Sequence, residues 1–460
     1  MISHRKKIQH LFLRAGFGIK PSVLDEMESK SIEELVELIF IKSSEAKDIK
    51  LLDPPDTNSK GEATNASLLA ALLKSQDELK QLNMAWMGRM TSTEAILLEK
   101  MTLFWHNHFA CTAPFAILMQ RQNNMLRKNA LGNFKTLINQ ISKDPAMILY
   151  LNNQENHKDS PNENFAREVM ELFTLGIGNY SETDIKEAAR AFTGWSVNKS
   201  GEFEFHEHDH DDGIKEIFGQ SGNWNGDDVI TMLLQKPQTA FHICKKLYKE
   251  FVNEKTNDTV VQLMADKFFE SDYDITGLMK YLFNSDWFYD EINVGSKISS
   301  PVEFIVRLKR EIDLRFEDYK QQASYQKVLG QVLFFPPNVA GWKGGRNWID
   351  SSSLLYRLNL AKVIAGQSNF ELQPKPEFEE QENFQIQKIK LDADLKPVVN
   401  YFLKTDANKM EDSISDSYIQ TPEIISDFSL AANTMLATTD FQKTLNTLVA
   451  VLSSPEFQLI

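Results

Sequence analysis

Leu97, Met101, Phe104 and His108 lie on one face of a helix, and Phe165, Val169, Leu172 and Phe173 on one face of another. Leu35, Leu38, Ile39 and Phe40 repeat in the same way near the start of the chain. Only a turn of about 3.6 residues brings that spacing into register, so the repeats predict amphipathic helices. Glycine agrees: 20 residues in 460 is about 4%, against a usual ~7%, too few for a fold of many short strands. The expected fold is all-α, one large multi-helical domain with irregular Gly-, Pro- and His-rich loops and little or no sheet. That domain is expected to span 1–365, with a linker-like loop near 52–66. A polar excursion or linker follows at 366–416, and C-terminal helices at 417–460 pack back on the main domain.

Local signals place several helix ends. Ser160-Pro161-Asn162-Glu163 offers Ser at N-cap, Pro at N1 and Glu at N3, and Ser181-Glu182-Thr183-Asp184 repeats the logic with Asp. Gly194 suits the end of the second helix. Thr91 with Glu94 has capping-box spacing and predicts a start near Thr91. The stretch FFPPNVAGWKGGRNW (334–348) cannot be helical, with paired prolines and glycines. A faint echo relates LMKYLFNSDWF (278–288) to TLVAVLSSPEF (447–457), but two copies make no solenoid.

A net charge of −14 repels nucleic-acid phosphates and anionic membranes, so neither is an expected partner. Cys111 and Cys244 are too few for a disulfide framework or a cysteine zinc site. No run of 18 apolar residues suggests a membrane span, and the basic N-terminus lacks an apolar signal core, so the default expectation is cytoplasmic. There is no G-x-S-x-G, Walker loop, G-x-G-x-x-G after a strand, or H-E-x-x-H.

The polar residues without an easy structural role lie between Phe104 and Gly219. On a helix from Pro161 to about Leu175, Asn164, Glu168 and Glu171 form a stripe bordering the apolar face, with the two carboxylates as i,i+3 neighbours. Such a pair is costly beside a core edge unless it is paired, bound to metal or used as acid and base. The structural alternative is an ion-pair network with Arg167 to Glu171 and Arg190 to Glu168. His106 and His108 point to opposite sides of a continuous helix, about 200° apart, so they cannot chelate one ion unless the helix breaks near Trp105. His108 points inward, as a core histidine or as a ligand. In FEFHEHDHDDG, period-two alternation would place His206, His208 and His210 on one strand face with Asp211 and Asp212 adjacent, a metal-like set or a solvated loop. Lys215 is a lone candidate cation for an anionic substrate group. Trp342, Lys343, Arg346 and Trp348 suit either ligand stacking or a loop pinned by its tryptophans.

At these residues the chain resembles the bacterial domain of unknown function 1800 family. The likeness runs through HLFLRAGFG (10–18), LFWHNHFA (103–110), PNENFAREVMELFTLGIGNYSETDIKEAARAFTGW (161–195), HDDGIKEIFGQSG (210–222), SPVEF (300–304) and LFFPPNVAGWKGGRNWI (333–349), in order. The resemblance implies no established reaction. It implies frequent export and a protein partner in a sulfatase-like neighbouring family. Only His210 and Asp211 of the histidine tract fall on the family pattern. Weight therefore shifts to His106, His108, Asn164, Arg167, Glu168, Glu171, Arg190, His210, Asp211 and Lys215.

The functional expectation is a metal-assisted enzyme, hydrolytic rather than redox, built from residues 104–219. Glu168, Glu171 and His106 would be catalytic. Arg167, Arg190, Lys215 and Asn164 would bind an anionic or polar substrate. His108, His210 and Asp211 would hold a divalent Zn, Mn or Fe ion. The alternative is a non-catalytic binding or assembly protein whose polar cluster is a structural ion-pair network.

Overall fold

The computed structural model describes residues 2–53, 65–367, 371–372, 387–388, 391–421 and 437–460. In chain order the helices are α1 (His4–Arg14), α2 (Pro21–Met27), α3 (Ile32–Lys42), α4 (Asn65–Ser92), α5 (Ile96–His108), α6 (Ala116–Asn129), α7 (Phe134–Ser142), α8 (Pro145–Tyr150) and α9 (Asn164–Glu168). A π-helix, Val169–Thr174, continues α9. Then come α10 (Glu182–Ala191), α11 (Gly226–Leu234), α12 (Pro237–Phe251), α13 (Asp258–Glu270), α14 (Ile275–Asn284), α15 (Pro301–Ile312), α16 (Tyr319–Leu329), α17 (Ser351–Ile364), α18 (Lys396–Phe402), α19 (Met410–Tyr418) and α20 (Asp440–Leu452). Sheet is confined, among the described residues, to four two-stranded antiparallel pairs. The fold is therefore largely all-α, as the apolar spacing predicts.

One continuous apolar core runs through these helices. The most enclosed helix is α5, buried on every side from Ile96 to His106. Trp105 is fully buried there, and its indole N–H donates to Ala130 O at 3.0 Å. Glu99 meets Arg127 of α6 at 2.8 Å, and its other oxygen accepts from the Trp86 indole at 2.7 Å. Arg310 of α15 joins α4 by donating to the carbonyls of Met90, Thr91 and Thr93.

The polar 366–416 stretch lies partly outside the described residues. Its described later part forms α18 and α19, which bury Val399, Phe402 and Ile414. The linker-like 52–66 segment falls mainly outside the described residues. The two echo segments, 278–288 and 447–457, each run from a helix into a short 3₁₀ turn that buries a phenylalanine, Phe288 or Phe457.

Three expected details change. The Ser181/Asp184 capping box forms as predicted. The Ser160 one does not: the Ser160 N–H is drawn back to His157 O at 2.9 Å, and the helix starts at Asn164, whose N–H is accepted by the Asn162 side chain. Thr91 starts no helix either. It ends α4 with its hydroxyl on Met87 O at 2.9 Å, and α5 begins at Ile96. The Glu168 helix also leaves the α-period. Leu175 N–H reaches back five residues to Met170 O at 2.8 Å, so a wheel drawn at 100° per residue fails beyond Glu168.

Candidate functional site

The residues between Phe104 and Gly219 come together in separate groups rather than in one cluster. His106, on the buried α5, packs edge-on to Trp86 and against Phe334 and Trp342. Its Nε2 accepts the Phe334 N–H at 3.2 Å. Burial pushes its pKa down to about 3, with Arg127 adding to the effect. It is a neutral core histidine that fixes the 334–348 loop, which corrects its assignment as a catalytic group. The same loop is held at Asn107, whose Oδ1 accepts Trp342 N–H at 2.8 Å. Gly341 lies so close to Asn107 that a Cβ there would stand 2.5 Å from the Asn107 carbonyl oxygen, at a φ of +76°. Trp342 and Trp348 are both buried, so the tryptophans pin the loop.

His108 points inward, as its helix position predicts. Its Nε2 faces Phe173 O at 3.3 Å, while its Nδ1 lies 3.0 Å from Lys246 Nζ. Lys246 also donates to Leu172 O at 3.0 Å, and His242 Nε2 reaches the same carbonyl at 3.2 Å. The wider turn of the π-helix leaves these carbonyls without helical partners, and side chains of α5 and α12 satisfy them. Burial is the first cause holding His108 well below the usual histidine range, and any positive charge on the neighbouring Lys246 adds to it. In an NMR pH titration His106 and His108 are therefore expected to show no proton uptake between pH 8 and 5. His206, raised chiefly by its bond to Glu204, is expected to titrate above 6.5. Uptake by either buried histidine near pH 6 would contradict these assignments.

The three-histidine strand does not form. β2 (Phe203–Phe205) ends before His206, and Glu207–Asp209 make a 3₁₀ turn. His206 lies between Glu204 and Asp209 near the surface, His208 is exposed, and His210 is buried with Nδ1 on Thr193 O at 2.9 Å. Two-residue alternation fails because the chain turns after His206, with the Asp209 N–H on His206 O at 3.1 Å and the His210 N–H on Glu207 O at 3.2 Å.

Arg190 closes this loop. It pairs with Asp211 at 2.7 Å and Glu187 at 2.7 Å, and the Arg190 contact holds the Asp211 carboxyl below its ordinary range. Lys215, on β3 (Lys215–Ile217), is wholly buried and donates to Gly213 O, Asp211 O and Asn223 Oδ1. Neither cation is free for a substrate anion, which corrects both as substrate ligands. Arg167 is likewise taken, by Glu163 at 3.2 Å and Glu182 at 2.8 Å. The expected pairs from Arg167 to Glu171 and from Arg190 to Glu168 are absent for this reason. Asn164 donates its side-chain amide to Leu151 O at 3.0 Å. Among the described residues no group of three or more His, Cys, Asp or Glu side chains is placed to hold a metal ion, and His108, His210 and Asp211 each keep separate partners.

Glu168 and Glu171 remain. Both are half-buried. Glu171 accepts the Tyr180 hydroxyl, and that phenol is pushed up to about 12 by burial and then by this bond. Glu168 has no hydrogen bond or ion pair among the described residues. Burial raises its pKa first and the Glu171 charge next, with Arg167 opposing. The charge of Glu168 also bears on the Tyr150 phenol. Six residues after Glu171 in sequence, Ile177 stands exposed between Gly176 and Gly178, both at positive φ.

Sequence reasoning missed Lys246, together with Lys100, Lys297 and Glu303. Lys100, fully buried, donates to Glu303 of α15, and Lys297 reaches Glu303 at 2.9 Å and Glu250 at 2.5 Å. A lysine at position 100 within the apolar run ILLEKMTLFW is the signal that could have marked this cluster. An open cavity of about 410 Å³ lies elsewhere, at the α4–α5 junction, lined by Lys42, Arg89, Glu94 and Glu99 among others.

Among the described residues no helix is long and apolar enough to cross a membrane. No curated protein and no solved structure matches the chain. The family described as protein of unknown function (DUF1800) matches residues 10–459, nearly the whole length, and the chain belongs to that family.

Proposed function

We propose that the protein is an enzyme that acts on a polar substrate by general acid–base chemistry, with Glu168 and Glu171 as the proton-transferring pair. The observation that carries this reading is the Glu168 carboxyl: half-buried, with no cation paired to it, and raised in pKa by burial and by its neighbour. A carboxyl raised above its ordinary range beside a second one held by a phenol is the environment that divides acid from base. Glu168 would deliver the proton, and Glu171, steadied by Tyr180, would accept one. The π-helix supports the reading, since such turns recur at functional sites.

The test is a screen of esters, amides and glycosides with the wild type and the Glu168→Gln and Glu171→Gln variants. Any turnover found is expected to fall about 10²–10⁴-fold in each variant. Turnover that both variants retain would overturn the proposal. Glu168→Gln should also raise the melting temperature at pH 7. A carboxyl whose folded pKa is raised opposes folding once it ionises, so this gain should vanish below about pH 4, where the folded and unfolded forms are both protonated.

One observation favours a second reading. Ile177, 78% exposed between two glycines at positive φ, is an apolar point on the surface suited to docking a protein partner. An absence of turnover together with a partner lost on Ile177→Asp would favour it, and the sulfatase-like neighbouring family is the partner to try first.

A further inference from the structure

On α12, His242, Lys246 and Glu250 repeat every four residues, and on α5 Lys100, Phe104 and His108 do the same. The two rows meet across a polar seam. Lys246 Nζ is 3.0 Å from His108 Nδ1, and Lys100 Nζ is 3.9 Å from Glu250. At the deep end Lys100, Lys297 and Arg14 outnumber Glu250 and Glu303. Arg14 is fully buried, and its Nε and Nη1 have no hydrogen-bond partner. Basic groups therefore outnumber carboxylates along the seam.

Lys246 sits at the open end, partly exposed, and among the described residues no carboxylate pairs with it. Its nitrogen has two acceptors, His108 Nδ1 and Leu172 O, both at 3.0 Å. A neutral amine carries two hydrogens. Both are satisfied there, which leaves the lone pair unengaged. An ammonium ion would have a third hydrogen and no further acceptor among the described residues. The bond to Phe173 O suits His108 as the Nε2–H tautomer, so that Nδ1 is free to accept.

We propose that Lys246 is a carbonyl-reactive amine that forms an imine with an aldehyde or ketone bearing an anionic group. The lone pair adds to the carbonyl carbon and the nitrogen's proton passes to the carbonyl oxygen. The resulting hydroxyl leaves as water while the C=N bond forms, so nothing is oxidised or reduced. The surplus basic groups of the seam favour the anionic group. Burial supports the assignment, lowering the Lys246 pKa to about 8, with Lys249 adding to the effect. The charge bearing on Lys246 is that of Lys249 on its own helix, and the titratable groups beside it are His108 and His242. The site is independent of the Glu168–Glu171 pair.

The test uses the full chain at pH 7.5 with limiting pyridoxal 5′-phosphate as the probe, trapping with cyanoborohydride and mapping the labelled peptides. Lys246 is expected to label about tenfold faster than the exposed Lys249, Lys255 and Lys343, and about tenfold faster with this probe than with unphosphorylated pyridoxal. Lys246→Gln keeps an uncharged donor for Leu172 O and should melt near the wild type while losing selective labelling. Labelling of Lys246 no faster than the exposed lysines, or equal rates with the two aldehydes, overturns the proposal.

Discussion

Glu99→Ala is expected to destabilise the protein by about 3–5 kcal/mol, because it leaves a buried guanidinium uncompensated. Arg127 is 1% exposed, and its Nε lies 2.8 Å from Glu99. Its remaining nitrogens are held by Asn123 and Asn124, which are neutral and cannot balance the charge. The same change strips the Trp86 indole of its acceptor. Glu99→Gln should cost less, since an amide oxygen still serves Trp86. Replacing both partners, Glu99→Met with Arg127→Met, should recover most of the loss, because a matched apolar pair carries no unpaired charge. Urea unfolding curves read all three variants. A Glu99→Ala loss under about 1 kcal/mol, or a double variant as weak as the single one, would contradict the account.

The second large effect belongs to Arg307. Its Nε pairs with Glu311 at 3.1 Å, its Nη1 donates to Phe457 O at 3.1 Å and its Nη2 to Tyr418 O at 2.8 Å. It also lies over the Phe457 ring, 4.0 Å from the centroid. One side chain thus ties α15 to α19 and to the last helical turns. Arg307→Met is expected to cost about 3–5 kcal/mol, since Glu311 is left buried without its ion-pair partner. The loss should depend on pH in a definite direction. Burial already raises the Glu311 pKa against the pull of Arg307, and without that pull it rises further. A folded carboxyl raised above its unfolded value holds its proton to higher pH, so stability is lost as pH rises through that interval. The deficit against wild type should therefore be small at pH 4 and largest at pH 7–8. A deficit that is flat with pH would mean that lost packing, not the stranded carboxyl, explains it.

The fold was legible in the sequence wherever the cause was local. Ser181 and Asp184 sit three residues apart, and nothing nearby competes for them, so their capping box could be read directly. Ser160 had the same pattern but met a rival, the His157 carbonyl three residues back. The inward direction of His108 followed from helix geometry alone. What it bonds to did not, because Lys246 is 138 residues away in sequence. The Arg167 pairing was misread because a wheel ranks neighbours along one helix, while Glu182 comes from another. The Arg190 pairing was misread because it crossed two helices whose placement is not local, and Asp211 takes the guanidinium instead. The π-turn was illegible for a different reason. No residue in VMELFT forbids an α-helix, and the wider turn is fixed by contacts from α5 and α12 on its far carbonyls. The nearness of Glu168 to Glu171 was legible because they are only three residues apart, and the charge of Glu171 does bear on Glu168.

The meeting of α1 with the segment after α19 has a consequence for how the chain is made. Lys6 donates to Asp416 O and Ile419 O, and Gln9 donates to Asp416 O and Ser417 O, across 407–413 residues of sequence. At a ribosomal rate of about 5–20 residues per second, those acceptors emerge roughly 20–80 seconds after α1 does. Throughout that interval Lys6 and Gln9 lack their final partners. α1 is thus locked long after it is synthesised, and a nascent chain stalled before residue 416 would present it to chaperones.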